Sequence, residues 1–158
     1  IAKAWHLKKE SILNGLANLE MTKMRTQLIP VENAYILDDT YKSNPESAKA
    51  AIDTLMELPA NKHIAILSDM LDLGSEEKQL HYDVGVYAKE KGVDELYCTG
   101  PLSKETAAGF SGKWYETKDE IYKTCKPLLD KDCVIMIKGS RAMKMDTLVD
   151  AFRGKNNE

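Results

Sequence analysis

Along this chain, short apolar runs alternate with longer stretches whose apolar residues recur three and four positions apart. The runs Gln27–Val31, Asn33–Leu37, His63–Leu67, Glu95–Thr99 and Cys133–Ile137 are predicted strands. His63–Leu67 is apolar almost throughout, as suits a strand covered on both faces. Gln27–Val31 carries Pro30, which cannot donate to a ladder and belongs at a sheet edge. It is expected to join Asn33–Leu37 through a tight turn at Glu32-Asn33. Lys113–Tyr115 is predicted as a further small edge strand.

The longer stretches read as helices. Glu10–Leu19 has Ile12, Leu13, Leu16 and Leu19 on one face, and Pro45–Leu58 has Ala48, Ala51, Ile52 and Leu55. Glu76–Lys91 is the clearest, with Ser75 as its expected cap, Glu76 and Glu77 at its positive end and Gly92 as its stop. Its buried stripe is predicted to be Leu80, Val84, Tyr87 and Ala88. Shorter helices are expected over Ser103–Ala108, Asp119–Leu129 and Met143–Phe152, the last with Met145, Leu148, Val149 and Phe152 inward. The polar stretch from Glu20 to Thr26 reads as a linker, with the main domain beginning near Arg25, and Arg153–Glu158 as a frayed tail. Strands alternating with helices predict an α/β, Rossmann-like fold. Its sheet is mostly parallel, with helices on both faces and a short antiparallel edge strand.

Composition narrows the function classes. The 158 residues suffice for one domain with a core. A net charge of −3 with interspersed signs argues against nucleic acid, and no apolar run is long enough for a membrane helix. Cys98, Cys125 and Cys133 are an odd set without a C-x-x-C pair, so buried free thiols in a reducing cytoplasm are expected. The chain begins without Met and without a signal peptide, so a piece of a longer cytoplasmic protein is expected.

Three strand-to-helix junctions are rich in polar side chains: Asp38–Pro45, Ser68–Gly74 and Lys138–Arg141. In a parallel sheet they open on one edge, where ligands bind. Local roles compete at each. Asn44 before Pro45 makes a good helix cap, and Asp38, Asp39, Asp69, Asp72 and Gly74 could serve turns. Lys138 and Arg141 with Ser140, beside a helix expected to start near Ala142, favour an anion, with a solvated loop as competitor. His6, His63 and His81 make no metal pattern, and His81 reads equally as a surface residue or a ligand. No G-x-S-x-G elbow is present. Gly109-Phe-Ser-Gly-Lys-Trp114 has the wrong spacing for a phosphate loop.

Taken together the junctions resemble the C-terminal domain of the ATP-dependent Mur ligases, in the branch that adds D-alanyl-D-alanine to UDP-N-acetylmuramoyl-tripeptide. That branch's Asp-x-Tyr-Asn-Ala-Asn-Pro-x-Ser stands here as Asp39-Thr-Tyr-Lys-Ser-Asn-Pro-Glu-Ser47. Its Gly-Asp-Met-x-Glu-Leu-Gly stands as Ser68-Asp-Met-Leu-Asp-Leu-Gly74, followed by His81. Its Lys-Gly-Ser-Arg-x-Met stands as Lys138-Gly-Ser-Arg-Ala-Met143, and its linker Thr-x-x-Arg as Thr22-Lys-Met-Arg25. The resemblance runs from about Leu7 to Phe152. Lys42, Ser43 and Ser68 depart from the pattern.

The resemblance implies a ligation of carboxylate to amine: ATP activates the tripeptide carboxylate as an acyl phosphate, and the dipeptide amine attacks. Residues 1–24 would end the central domain. The N-terminal and central domains would carry the phosphate loop, the Mg²⁺ ligands and most of the sugar site, so this chain alone is expected to be inactive. Arg25, Asp39, Tyr41 and Asn44 would contact the nucleotide, Asp39 at the ribose. Lys138, Ser140 and Arg141 would meet the incoming dipeptide, with Asp69 and His81 orienting it. No residue here is singled out as catalytic and none as a metal ligand. Another Mur ligase, a folylpolyglutamate synthase-type domain and a receiver-like binding module remain the alternatives.

Overall fold

The computed structural model describes residues 23–129 and 132–155; the predicted helix Glu10–Leu19 and the end of the tail lie outside them. Six strands form one sheet: β1 (Gln27–Val31), β2 (Ala34–Asp39), β3 (Lys62–Ser68), β4 (Glu95–Thr99), β5 (Lys113–Tyr115) and β6 (Cys133–Lys138). Their order across the sheet is β1-β2-β6-β3-β4-β5. β1 runs antiparallel to β2 and every other pairing is parallel. The Rossmann-like sheet with an antiparallel edge strand is therefore as the alternation predicts.

Five helices cover it: α1 (Pro45–Glu57), α2 (Glu77–Glu90), α3 (Ser103–Phe110), α4 (Lys118–Cys125) and α5 (Asp146–Phe152). Period-2 alternation divides each central strand between two cores. Ile64, Ile66, Ile135 and Ile137 pack with Ile121, Leu148, Val149 and Phe152 of α4 and α5. Ala65, Leu67, Val134 and Met136 pack with Ala48, Ile52, Leu55, Val84 and Ala107 of α1, α2 and α3. That double cover explains the unbroken apolar runs Ile64–Leu67 of β3 and Cys133–Ile137 of β6.

Helix ends depart from the sequence expectations in instructive ways. Asn44 caps α1 as predicted: its side chain accepts from the Ser47 amide, and the Ser47 hydroxyl accepts from the Asn44 amide. Ser75 does not cap α2. Asp72 and Gly74 hold left-handed φ values of 62° and 70°, and Gly74–Glu76 forms a 3₁₀ turn before the helix starts at Glu77. The buried positions of α2 are His81, Val84, Gly85 and Ala88, while Leu80 and Tyr87 are half-buried. The expected helix Asp119–Leu129 ends at Cys125 and continues as a 3₁₀ turn over Lys126–Leu128.

The last predicted helix is also split. Arg141–Met143 is a 3₁₀ turn, Lys144 turns left-handed at φ 49°, and α5 begins only at Asp146. Its inward residues are as expected, since Met145, Leu148, Val149 and Phe152 are buried. The anion argument for Lys138–Arg141 loses its helix terminus, because the first turn of α5 is acidic. Cys98, Cys125 and Cys133 are buried; burial raises the Cys98 thiol well above its ordinary value and pushes Cys125 up to about 12. No helix of the described residues is long and apolar enough to cross a membrane.

Candidate functional site

The strand order reverses direction where β2 lies beside β6, and polar residues gather at the carboxyl ends of those two strands. Asp39 stands opposite Lys138 in the β2–β6 register. Because successive side chains leave a strand on opposite faces, Asp38 and Asp39 diverge. Asp39 faces the α1 side, where the Lys138 ammonium lies 2.5 Å from its Oδ2. Lys138 also donates to the Lys42 carbonyl at 2.8 Å. The other carboxylate oxygen, Oδ1, accepts the Thr26 amide at 3.2 Å.

The linker is held over this junction. The Tyr41 amide donates to the Met24 carbonyl at 3.1 Å, and the Arg25 guanidinium lies 4.5 Å above the Tyr41 ring. Met24 and Thr26, flanking Arg25, take left-handed φ values of 65° and 47°. The result is an open groove of about 340 Å³ lined by Arg25, Asp39, Tyr41, Asn44 and Lys138, with α1 as its wall. That volume sits near the small end of ligand sites. Sequence reasoning overlooked Thr26, Lys42 and Thr54, which also line or brace the groove. Thr26 and Thr54 depend on the fold of the linker and on a wall helix, whereas Lys42, a departure within the first motif, takes part through its backbone carbonyl.

The structure thus brings together the four residues expected at a nucleotide, and adds Lys138 to them. It divides the other expected group. Asp69 is buried, and its Oδ1 accepts the Ser103 amide at 2.8 Å and the Ser103 hydroxyl at 2.6 Å. Gly100, at φ 109°, leaves room for that carboxylate, since a β-carbon there would overlap it. The Ser140 hydroxyl donates to the Asp69 carbonyl at 2.9 Å, tying the β3 and β6 loops together. Ser103 carried a sequence signal, a hydroxyl at a predicted helix start, but nothing local linked it to Asp69.

His81 is fully buried, which excludes the surface reading. Its Nε2 accepts the Met70 amide at 2.9 Å and its Nδ1 lies 2.7 Å from the Glu77 carbonyl. Those partners place the ring proton on Nδ1 and make the side chain a brace for the Ser68–Gly74 loop. Arg141 is the exposed member, bonded to Asp146 Oδ2 at 2.7 Å. Ser68, where the resembling motif has Gly, buries a hydroxyl with no hydrogen-bond partner against Gly139. Among the described residues no three carboxylate, His or Cys side chains converge on a metal position.

On the opposite face, Asp38 Oδ1 accepts the Thr40 hydroxyl at 2.7 Å and the Thr40 amide at 3.2 Å. Burial raises this carboxyl above its ordinary value of 3.8; the Thr40 bonds oppose the rise, and the charges of Asp39 and Asp146 add to it. The folded protein therefore holds the Asp38 proton more tightly than the unfolded chain. That contribution to stability is fully present below the unfolded value and is lost as pH rises through the folded one. Asp38→Asn keeps the acceptor and removes the charge. It is expected to stabilise the domain at pH 7 by about 1 kcal/mol, an advantage that fades in acid. Thermal melts of both proteins across the acid range check this, and a constant difference at all pH values would contradict it.

With this geometry in place, comparison with known proteins is decisive. The family model for the Mur ligase, glutamate ligase domain, matches residues 24–141. The chain belongs to this family. Among its relatives, the UDP-N-acetylmuramoyl-tripeptide--D-alanyl-D-alanine ligase of Escherichia coli (strain K12) is 34% identical over 151 residues, covering 91% of this chain and 32% of that protein. The enzyme of the same name from Rickettsia prowazekii (strain Madrid E) is 30% identical over 142 residues, covering 87% of this chain and 32% of that protein. A crystal structure of MurF from Acinetobacter baumannii superposes with a TM-score of 0.86 at 26% identity, covering 98% of this chain and 35% of that one. The glutamate ligase domain described here spans about a third of the length of these relatives.

Proposed function

We propose that this glutamate ligase domain forms the nucleotide- and amine-binding side of an ATP-dependent ligase that joins D-alanyl-D-alanine to UDP-N-acetylmuramoyl-tripeptide. The observation carrying the reading is the convergence of Arg25, Asp39, Tyr41 and Asn44 on one groove at the β2–β6 carboxyl ends. The names of the relatives at 30% and 34% identity supply the substrates. The domain begins near Arg25, and residues 1–24 close the preceding domain, with N-terminal and central domains completing the cleft. The reaction belongs to peptidoglycan precursor synthesis in the cytoplasm.

The chemistry of the groove suits a nucleoside. An ionised carboxylate offers about four lone-pair positions. Asp39 uses one on Thr26 and one on Lys138, which leaves a position on each oxygen for the vicinal hydroxyls of a ribose. Tyr41, 44% exposed with Arg25 stacked upon it, presents a flat apolar surface at the mouth. Asn44 spends its oxygen on the helix cap and retains its amide hydrogens for a ligand. ATP supplies the phosphoryl group that activates the tripeptide carboxylate. This domain's residues bind and orient, and closure against the central domain excludes water. Ser140 and Arg141, with Asp69 beneath them, form the side of the cleft facing the amine substrate.

The test is phosphate release by the complete protein with tripeptide, dipeptide and ATP, for wild type and Asp39→Asn. Product is expected, with the variant raising the KM for ATP by about 10- to 100-fold, the loss of one charged hydrogen bond. Ligation of a single amino acid in place of the dipeptide would assign the chain to another branch of the family. An unchanged KM for ATP would remove the nucleotide from this groove.

A further inference from the structure

We infer that Lys138 is a positioning residue for the nucleotide, one that fixes the Asp39 carboxylate and the loop after β2, and that it does not bind the carboxylate of the amine substrate. The inference rests on the reading of the β2–β6 groove as the nucleotide half-site and deepens it.

The motif alone presents Lys138 as a free cation at a strand end. In the folded domain its side chain is only 1% exposed. Parallel pairing of β2 and β6 places it directly beside Asp39, and both side chains leave the sheet towards α1. A lysine ammonium has three hydrogens to donate. One goes to Asp39 Oδ2 at 2.5 Å and another to the Lys42 carbonyl at 2.8 Å. A buried ammonium is tolerated only with such partners, and here they come from the end of β2 and the middle of the loop that follows it.

Three consequences follow for the site. The pair orients the Asp39 carboxylate, so its remaining lone pairs point in fixed directions. The bond to Lys42 clamps the backbone between Tyr41 and Asn44, the two other groove residues of that loop. An incoming carboxylate at Lys138 would have to sit against the negative charge of Asp39, which repels it. Arg141, paired with Asp146 but with a side chain 57% exposed, is an accessible cation for that task.

The experiment uses the complete enzyme with Lys138→Met, Asp39→Asn and the double variant, measuring kcat and the KM of each substrate with a thermal melt of each protein. Lys138→Met is expected to raise the KM for ATP by about tenfold or more while leaving the KM for D-alanyl-D-alanine within about threefold. In the Asp39→Asn background the same replacement is expected to change the KM for ATP by less than about threefold, because its effect runs through Asp39. A dipeptide KM that rises as much as or more than the ATP KM overturns the inference, as do single effects that multiply in the double variant.

If Lys138→Met alone fails to fold, the double variant, which leaves neither charge unpaired, still decides. An added rise in dipeptide KM over Asp39→Asn places Lys138 at the dipeptide, and no added rise in either KM supports its action through Asp39. An ATP KM unmoved by Asp39→Asn defeats the nucleotide reading of the groove itself. An ATP KM raised by Asp39→Asn but not by Lys138→Met defeats only the role given to Lys138.

Discussion

Gly85→Ala is expected to destabilise the domain by about 1–3 kcal/mol, although alanine favours an isolated helix by about 1 kcal/mol over glycine. Gly85 lies on the face of α2 that meets α3, where a β-carbon would overlap the Thr106 carbonyl oxygen and stand 2.9 Å from the Phe110 amide. Gly109 of α3 makes the reciprocal approach, its β-carbon overlapping the Tyr82 carbonyl and lying 3.0 Å from the Val86 amide. Both obstacles are backbone, so no rotamer change relieves them and the helices must separate. The loss reads as a Tm lowered by roughly 3–9 °C. A Tm at or above that of wild type would mean that α2 and α3 do not cross this closely. The double variant Gly85→Ala/Gly109→Ala is expected to cost less than the sum, since one displacement of the helices relieves both overlaps.

His81→Ala is expected to cost about 2–4 kcal/mol, combining a cavity with the loss of two buried hydrogen bonds. The ring fills a fully enclosed position on α2 and accepts the Met70 amide at the point where β3 passes into its loop. Chemical denaturation is expected to show a lowered midpoint with an unchanged slope. A variant of normal stability with a raised KM for the amine substrate would instead place the imidazole against that ligand. The buried geometry argues for the first outcome.

His81 also shows what a linear pattern conceals. Periodicity counts histidine as polar, so the predicted stripe of α2 joins Leu80 and Tyr87 to Val84 and Ala88, whereas His81 and Gly85 complete the buried face with those two. Central strands were legible because double cover demands unbroken apolar runs, and the predicted bounds of the edge strands β1 and β5 and of β4 matched residue for residue. Helix starts were legible where a side chain caps them, as at Asn44, and illegible where backbone torsion decides, as at Gly74 and Lys144. The groove residues of one loop, Asp39, Tyr41 and Asn44, could be read together because they are adjacent in sequence. The pairing of Asp39 with Lys138, separated by 99 positions, could not. It depends on β6 inserting between β2 and β3, which no local signal specifies.

The outer strands set how the sheet behaves towards other proteins. β5 offers only three residues, and β1 carries Pro30 as the fourth of its five, so neither presents a long unbroken row of amide donors. Such rows are the templates on which foreign strands add and chains stack into fibrils. Leu28 and Tyr35, 43% and 46% exposed beside Pro30, would otherwise make this border adhesive. The proline breaks the row of donors along this apolar margin and so opposes the addition of a foreign strand there.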